Sequence, residues 1–109
     1  MALINALMRL KDDRLVKSFE FVNFTKEKAK VILFDGREVV VYMADDFYIL
    51  TYVGIKEAWS YPPTPNYIVY NQWDYVTDAA FEAVKSVGAT LISFGQFRKI
   101  LQDAAMNER

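Results

Sequence analysis

The sequence contains no cysteine and no histidine among its 109 residues. Without cysteine there are no disulfide bonds, thiolate nucleophiles or thiolate metal sites, and without histidine the commonest metal ligand and general base are missing. Serine hydrolases that use a histidine base and zinc hydrolases are therefore excluded. Any catalysis would have to rely on carboxylate, lysine or tyrosine chemistry, or on a Mg²⁺ ion bound by oxygen ligands.

Long apolar runs and a dominant charge are also lacking. No run approaches the roughly 18 apolar residues of a membrane-spanning helix, and charges interrupt the mildly apolar amino terminus too early for a secretory signal. We therefore expect a cytoplasmic protein that does not contact membranes. The net charge of -1 is not that of a typical nucleic-acid binder. Residues 1–30 do carry seven basic against four acidic residues, which is either a basic face or a set of solvated positions.

The first half of the chain has the pattern of a short helix followed by strands. Leu3, Leu7 and Leu10 form one helical stripe, and the helix should end near Asp12. Three segments rich in β-branched and aromatic residues follow between residues 18 and 43. Asp35-Gly36 predicts a two-residue hairpin turn between the second and third of these strands. Residues 47–53 have the composition of a fourth strand, although an aspartate cap could instead begin a helix there.

The second half predicts a β-α-β unit and a final helix. Three prolines between residues 62 and 65 require a loop, because proline lacks a backbone donor. The next predicted element is a buried strand at 67–70. It is followed by a helix that opens at Thr77 or Asp78 and ends at Gly88, and then by a strand at 89–93. The predicted buried stripe of that helix is Ala80, Phe81, Val84 and Val87. We expect one α/β domain over residues 1–109, with an N-terminal helix, antiparallel strands in a mixed sheet, then β-α-β and a C-terminal helix.

The stretch from Tyr67 to Leu101 resembles the closing part of restriction-endonuclease-like domains of the Mrr type. In that family a strand, a threonine-capped helix with alanines, a glycine, a short strand and a helix follow one another. The matching positions here are Thr77, Ala79, Ala80, Gly88, Leu91, Ile92 and Leu101. The resemblance covers about a third of the chain and implies a nuclease-like fold that acts on nucleic acid.

The catalytic signature of that family is not matched. It consists of an acidic residue in the central hairpin and, on the next strand, Glu or Gln, any residue, and Lys, which together hold Mg²⁺. The nearest counterparts are Asp45 or Asp46, followed by Gly54-Ile55-Lys56, so that glycine replaces the second carboxylate. Asp45 and Asp46 are candidate Mg²⁺ ligands, although an acidic pair is also common in turns. Lys56 and Glu57 are either a proton-handling pair or solvated neighbours.

The candidate binding residues flank the strand at 67–70 and are mostly aromatic or amide-bearing. Aromatic residues in loops supply large contact areas for bases or for a protein partner, whereas others of their kind fill the core. Asn71 and Gln72, with Asp74, follow a parallel strand where α/β sheets place binding groups, unless they only shape a turn. The set is Lys56, Trp59, Tyr61, Asn71, Gln72, Trp73 and Tyr75.

We interpret the chain as a non-catalytic binding domain with a nuclease-like fold and no cofactor, which contacts nucleic acid or a protein partner. One alternative is a Mg²⁺-dependent nuclease with a degenerate site made of Asp45 or Asp46, Lys56 and Glu57. The other is a structural homo-oligomer, such as a homodimer, whose loop aromatics form the subunit interface.

Overall fold

The computed structural model describes residues 3–22, 27–43, 49–50, 56–70 and 75–107. Within these ranges the chain has an α/β fold with a mixed sheet, as the sequence predicted. Its elements in chain order are α1 (Leu3–Asp12), β1 (Ser18–Phe21), β2 (Lys28–Ile32), β3 (Glu38–Met43), β4 (Ile49–Leu50), a 3₁₀ turn (Lys56–Trp59), β5 (Tyr67–Tyr70), β6 (Tyr75–Val76), α2 (Asp78–Ser86), β7 (Thr90–Ser93) and α3 (Phe94–Met106).

Five of the described strands form one sheet in the order β1-β2-β3-β5-β7. β2 is antiparallel to both β1 and β3, whereas β3, β5 and β7 are mutually parallel. The residues on β3 pair with β5 from Val41↔Tyr67 to Met43↔Val69. Residues 49–50 are extended, as predicted for this segment, but β4 pairs in parallel with β6 in a separate two-stranded sheet. It is therefore not a fourth antiparallel strand of the main sheet.

The β2–β3 hairpin closes at Asp35-Gly36, but its turn is longer than the predicted two-residue turn. Gly36 N donates to Leu33 O at 3.1 Å, and Leu33 N donates to Arg37 O at 2.8 Å, so the loop is Phe34-Asp35-Gly36. Only Gly36 has a positive φ, of 93°. This is the three-residue loop in which a turn precedes a left-handed glycine, and it requires the unusual conformation at one residue rather than two. The Asp35 carboxylate accepts a hydrogen bond from Arg37 N in this loop.

The two faces of the sheet are covered by different elements. α1 and α3 pack on one face, where the leucines of α1 and Phe97 and Leu101 of α3 meet Val31, Val41 and other side chains of the central strands. α2 and the 3₁₀ turn pack on the other face, around Tyr42, Ile68 and Val84. Burial of each such large apolar side chain contributes about 1.5–3 kcal/mol. The core therefore has two layers, one on each side of the sheet.

The ends of α2 and α3 follow local sequence signals. The Thr77 hydroxyl accepts a hydrogen bond from Ala80 N, which caps α2 as predicted, and Gly88 ends that helix with a φ of 81°. Ser93 and Gln96 form a reciprocal capping box at the start of α3, a motif whose cap contributes about 1 kcal/mol. One prediction for α2 is wrong: Phe81 is 42% exposed and is not part of the buried stripe.

Candidate binding site at the carboxyl edge of the sheet

One edge of the main sheet collects the carboxyl ends of β1, β3, β5 and β7 and the amino end of β2. These strands are parallel to one another apart from β2, so their ends at Phe21, Met43, Tyr70 and Ser93 point the same way. In open α/β sheets, ligands bind outside this carboxyl edge. Glu27, Lys28 and Tyr42 are among the described residues at this edge, and Tyr42 lies on the second face of the sheet, which is the face that α2 covers. We refer to this part of the molecule as the carboxyl edge.

Lys28 is the first residue of β2 and is fully buried. It lies opposite Tyr42 on β3, and β alternation directs both side chains to the second face, beneath residues 60–66. We call residues 60–66 the proline segment. The Lys28 ammonium donates hydrogen bonds to Tyr61 O at 2.8 Å and to Pro63 O at 2.9 Å. Nζ also lies 3.8 Å from the centroid of the Tyr61 ring, in cation–π geometry.

These contacts explain how a charged side chain is accommodated inside the protein. An unpaired buried ammonium costs several kcal/mol, and carbonyl oxygens offset that cost by acting as acceptors. Burial still lowers the pKa of Lys28 below its ordinary value of 10.5, because the charged form is the one that loses hydration. Two N–H donors are enough for the two carbonyls, so the neutral amine can make the same two hydrogen bonds.

A second polar contact lies beside Lys28. The Tyr42 hydroxyl is buried on β3 and donates to Glu27 Oε2 at 3.3 Å. Glu27 precedes Lys28 in the chain, and its backbone carbonyl accepts from Met43 N at 2.9 Å. The amino end of β2 and the carboxyl end of β3 are thus joined by both backbone and side-chain hydrogen bonds. These contacts therefore hold the two strands together at the carboxyl edge.

The proline segment is anchored to the sheet at its far end by Asn66. Asn66 N donates to Val40 O at 2.8 Å, and Val40 N donates to Asn66 Oδ1 at 2.7 Å. Pro65 is buried, and the Pro62-Pro63 peptide bond is cis. Together with the two Lys28 hydrogen bonds, these contacts hold the segment against β2 and β3. Its conformation is therefore determined by side chains that lie far away in the sequence.

The structure describes the side chains of three predicted binding residues, of which Tyr61 belongs to this segment and the other two to the preceding 3₁₀ turn. Lys56 is exposed in the 3₁₀ turn. Trp59, at the end of that turn, is half-buried against the core layer around Tyr42 and Ile68. Tyr61 is half-buried, with its ring on the Lys28 ammonium. Trp59 and Tyr61 therefore each combine an interior contact with a solvent-facing part. They are held in place rather than projecting freely from a loop.

The other predicted site residues are not described, or are described only in part. Asp45 and Asp46, the candidate metal ligands, lie outside the described residues, as do Asn71, Gln72 and Trp73. The backbone of Tyr75 is described as the first residue of β6, but its side chain is not. The predictions for these residues therefore stay predictions.

Sequence reasoning missed Lys28, which it counted only among the basic residues of the amino-terminal region. Lys28 and Lys30 lie two residues apart on the same face of β2, yet Lys30 is exposed. No local signal separates the two lysines. The difference depends on which half of that face the proline segment covers, and this is a long-range property.

The described acidic residues are spread out. Glu38, the acid of β3, lies at the opposite end of that strand from Tyr42 and is exposed. In the part of the chain that the structure describes, no three acidic side chains come close enough to hold a metal ion. The helices seen in the described ranges are also too short or too polar to cross a membrane.

Comparisons with known proteins give no relative from which a function could be transferred. No protein-family model matches the chain, and no curated protein or solved structure is significantly similar to it.

Proposed function

We propose that this chain is a non-catalytic binding domain with a nuclease-like fold, and that it contacts nucleic acid at the carboxyl edge of its sheet. The support for the fold is the order of elements: antiparallel strands that include a central hairpin, followed by β-α-β and a helix. The resemblance to Mrr-type domains implies the β-α-β unit and the last helix, whereas the helix that usually precedes them in that family is hard to fit into the proline segment. The proposal extends that resemblance from the last third of the chain to the central hairpin.

The single observation that carries the non-catalytic assignment is the Lys28 ammonium at the open end of the β2–β3 hairpin. In the Mrr-type signature, an acidic residue in the central hairpin and, on the next strand, Glu or Gln, any residue, and Lys together hold Mg²⁺. Here the open end of the β2–β3 hairpin contains a cation of the protein's own, bound by the carbonyl oxygens of Tyr61 and Pro63. A second positive charge about 4 Å away would cost about 4 kcal/mol per unit charge at an effective dielectric constant of 20. The buried ammonium therefore opposes metal binding at this place.

Nucleic acid is the proposed partner because of the residue types that follow strand β5 in the sequence. Asn71, Gln72 and Trp73 directly follow Tyr70, the last residue of β5. Amide side chains hydrogen-bond to base edges, and aromatic rings stack on bases with about 1–3 kcal/mol each. Trp59 is partly exposed at the end of the 3₁₀ turn that begins with the exposed Lys56. Because the net charge is only -1, we expect binding to be modest and to weaken with salt.

The test is a titration of tryptophan fluorescence with short single- and double-stranded DNA and RNA, at low and at physiological salt, with and without Mg²⁺. We expect quenching that salt reverses, and intact nucleic acid after incubation with Mg²⁺. Lys56→Gln should weaken binding and reduce its salt dependence, because residues 56 and 59 are three apart in a 3₁₀ turn and therefore lie on the same side of it. Lys99→Gln, which removes an exposed lysine from α3 on the other layer, is the matched control.

Two outcomes would contradict the proposal in different ways. Cleavage that requires Mg²⁺ and disappears in Asp46→Ala would show a nuclease. Absence of quenching even at low salt would exclude nucleic acid and leave a protein partner as the object of the search.

A further inference from the structure

A groove of about 370 Å³ lies between α2 and β7, on the side of the molecule opposite to β1. Its lining consists of Phe81, Glu82, Lys85, Ala89, Thr90 and Leu91. Phe81 is 42% exposed there, although the rest of the apolar stripe of α2 packs on the sheet. A partly exposed phenylalanine beside a groove loses hydrophobic stabilisation that burial by another surface would recover.

β7 forms this border of the main sheet. Among the described strands it pairs with β5 only. Thr90 N donates to Asn66 O at 2.9 Å, so the backbone of Thr90 faces the β5 side. Backbone groups of a strand alternate in direction, and those of Leu91 therefore face away from β5. An outward N–H and C=O pair on one residue is what a strand of another chain needs for pairing.

The charges at the rim of the groove complement themselves under a twofold rotation. Glu82 and Lys85 lie one turn apart on α2, on the same side as Phe81, and neither belongs to a salt bridge within the described part of the chain. When two copies of α2 pack antiparallel about a twofold axis between residues 82 and 85, Glu82 of one copy lies near Lys85 of the other, and the contact occurs twice. Such an interface is isologous, as in most homodimers.

We propose that a second copy of this chain docks on this groove. The two β7 strands pair antiparallel about Leu91, so that each Leu91 exchanges both of its backbone hydrogen bonds with the other. The two α2 helices then run antiparallel, Phe81 of each copy is covered, and Glu82 of each faces Lys85 of the other. The main sheet continues across the dimer through both copies. This inference is independent of nucleic-acid binding, and its interface differs from the loop aromatics that the sequence had suggested for an oligomer.

The test is light scattering on the full chain after gel filtration over a range of concentrations. We expect a mass of twice 12.6 kDa at high concentration. Glu82→Lys and Lys85→Glu, each alone, place like charges at both contacts, and we expect the dissociation constant of the homodimer to rise about tenfold or more. An equimolar mixture of these two variants restores opposite charges at both contacts, and should therefore form a heterodimer as tight as the wild-type dimer.

Phe81→Ser should also weaken the dimer, whereas Met106→Ser is the control, since Met106 is an apolar side chain on α3 that is 85% exposed. Far-UV circular dichroism establishes that each variant is folded. A wild-type chain that stays monomeric at high concentration would overturn the proposal. So would a dimer that tolerates both charge reversals, or charge-reversed variants that do not recover dimerisation when mixed.

Discussion

Replacement of Lys28 by methionine is the perturbation that most directly tests how the second face of the sheet is held together. Methionine keeps the length and most of the volume of the lysine stem but has no donor for Tyr61 O and Pro63 O. Each part-buried carbonyl that loses its hydrogen bond from Lys28 costs about 1–3 kcal/mol, and loss of the cation–π contact adds about 2 kcal/mol. Relief of the buried charge offsets part of this sum. We expect a net loss of about 2–4 kcal/mol in the free energy of unfolding.

The measurement is urea denaturation followed by tryptophan fluorescence and by circular dichroism. The matched control is Lys30→Met, because Lys30 lies on the same strand and the same face but is exposed. We expect that control to change stability by no more than about 0.5 kcal/mol. If Lys28→Met were as stable as Lys30→Met, the proline segment would not depend on the buried ammonium, and our explanation of its position would be refuted.

Three further predictions concern pH and backbone conformation. Because burial lowers the pKa of Lys28, the unfolded state binds the extra proton between that lowered value and 10.5. Stability of the wild type relative to Lys28→Met should therefore increase as pH rises through this window, which denaturation in a pH series measures. Hydrogen bonds from Arg37, first from its backbone N–H and then from its side chain, lower the pKa of Asp35. The contribution of the Asp35 carboxylate to stability should be present above the ordinary carboxyl pKa and be lost as pH falls through the lowered value. Asp35→Asn should therefore flatten acid denaturation curves in that range. Gly88 and Arg14 both follow a helix with a positive φ, of 81° and 59°. Gly88→Ala should therefore cost about 1 kcal/mol in thermal unfolding, whereas Arg14→Gly should stabilise by about 0.5 kcal/mol; equal signs for the two changes would contradict this explanation.

Local sequence signals determined most of the secondary structure. The leucine spacing of α1, the Thr77 cap, the Gly88 stop and the Asp35-Gly36 turn each depend on interactions within a few residues, so they could be recognised without the fold. The same signals determined the α/β class, because antiparallel strands followed by β-α-β restrict how a sheet can assemble. Local signals did not determine the length of the Asp35-Gly36 turn, because the choice between a two-residue and a three-residue loop depended on the register of β2 and β3.

Tertiary structure alone decided which side chains are buried at the candidate site and at the groove. Lys28 and Lys30 have the same local setting, and only the position of the proline segment, more than 30 residues later, makes one a buried cation and leaves the other in solvent. Phe81 has the spacing of a core residue, yet it is exposed because β7 is the last of the described strands in the sheet and no described element covers that side of α2. Helical and strand periodicity reports which face a residue occupies. Whether another element covers that face depends on contacts between distant parts of the chain, and these have no local signature in the sequence.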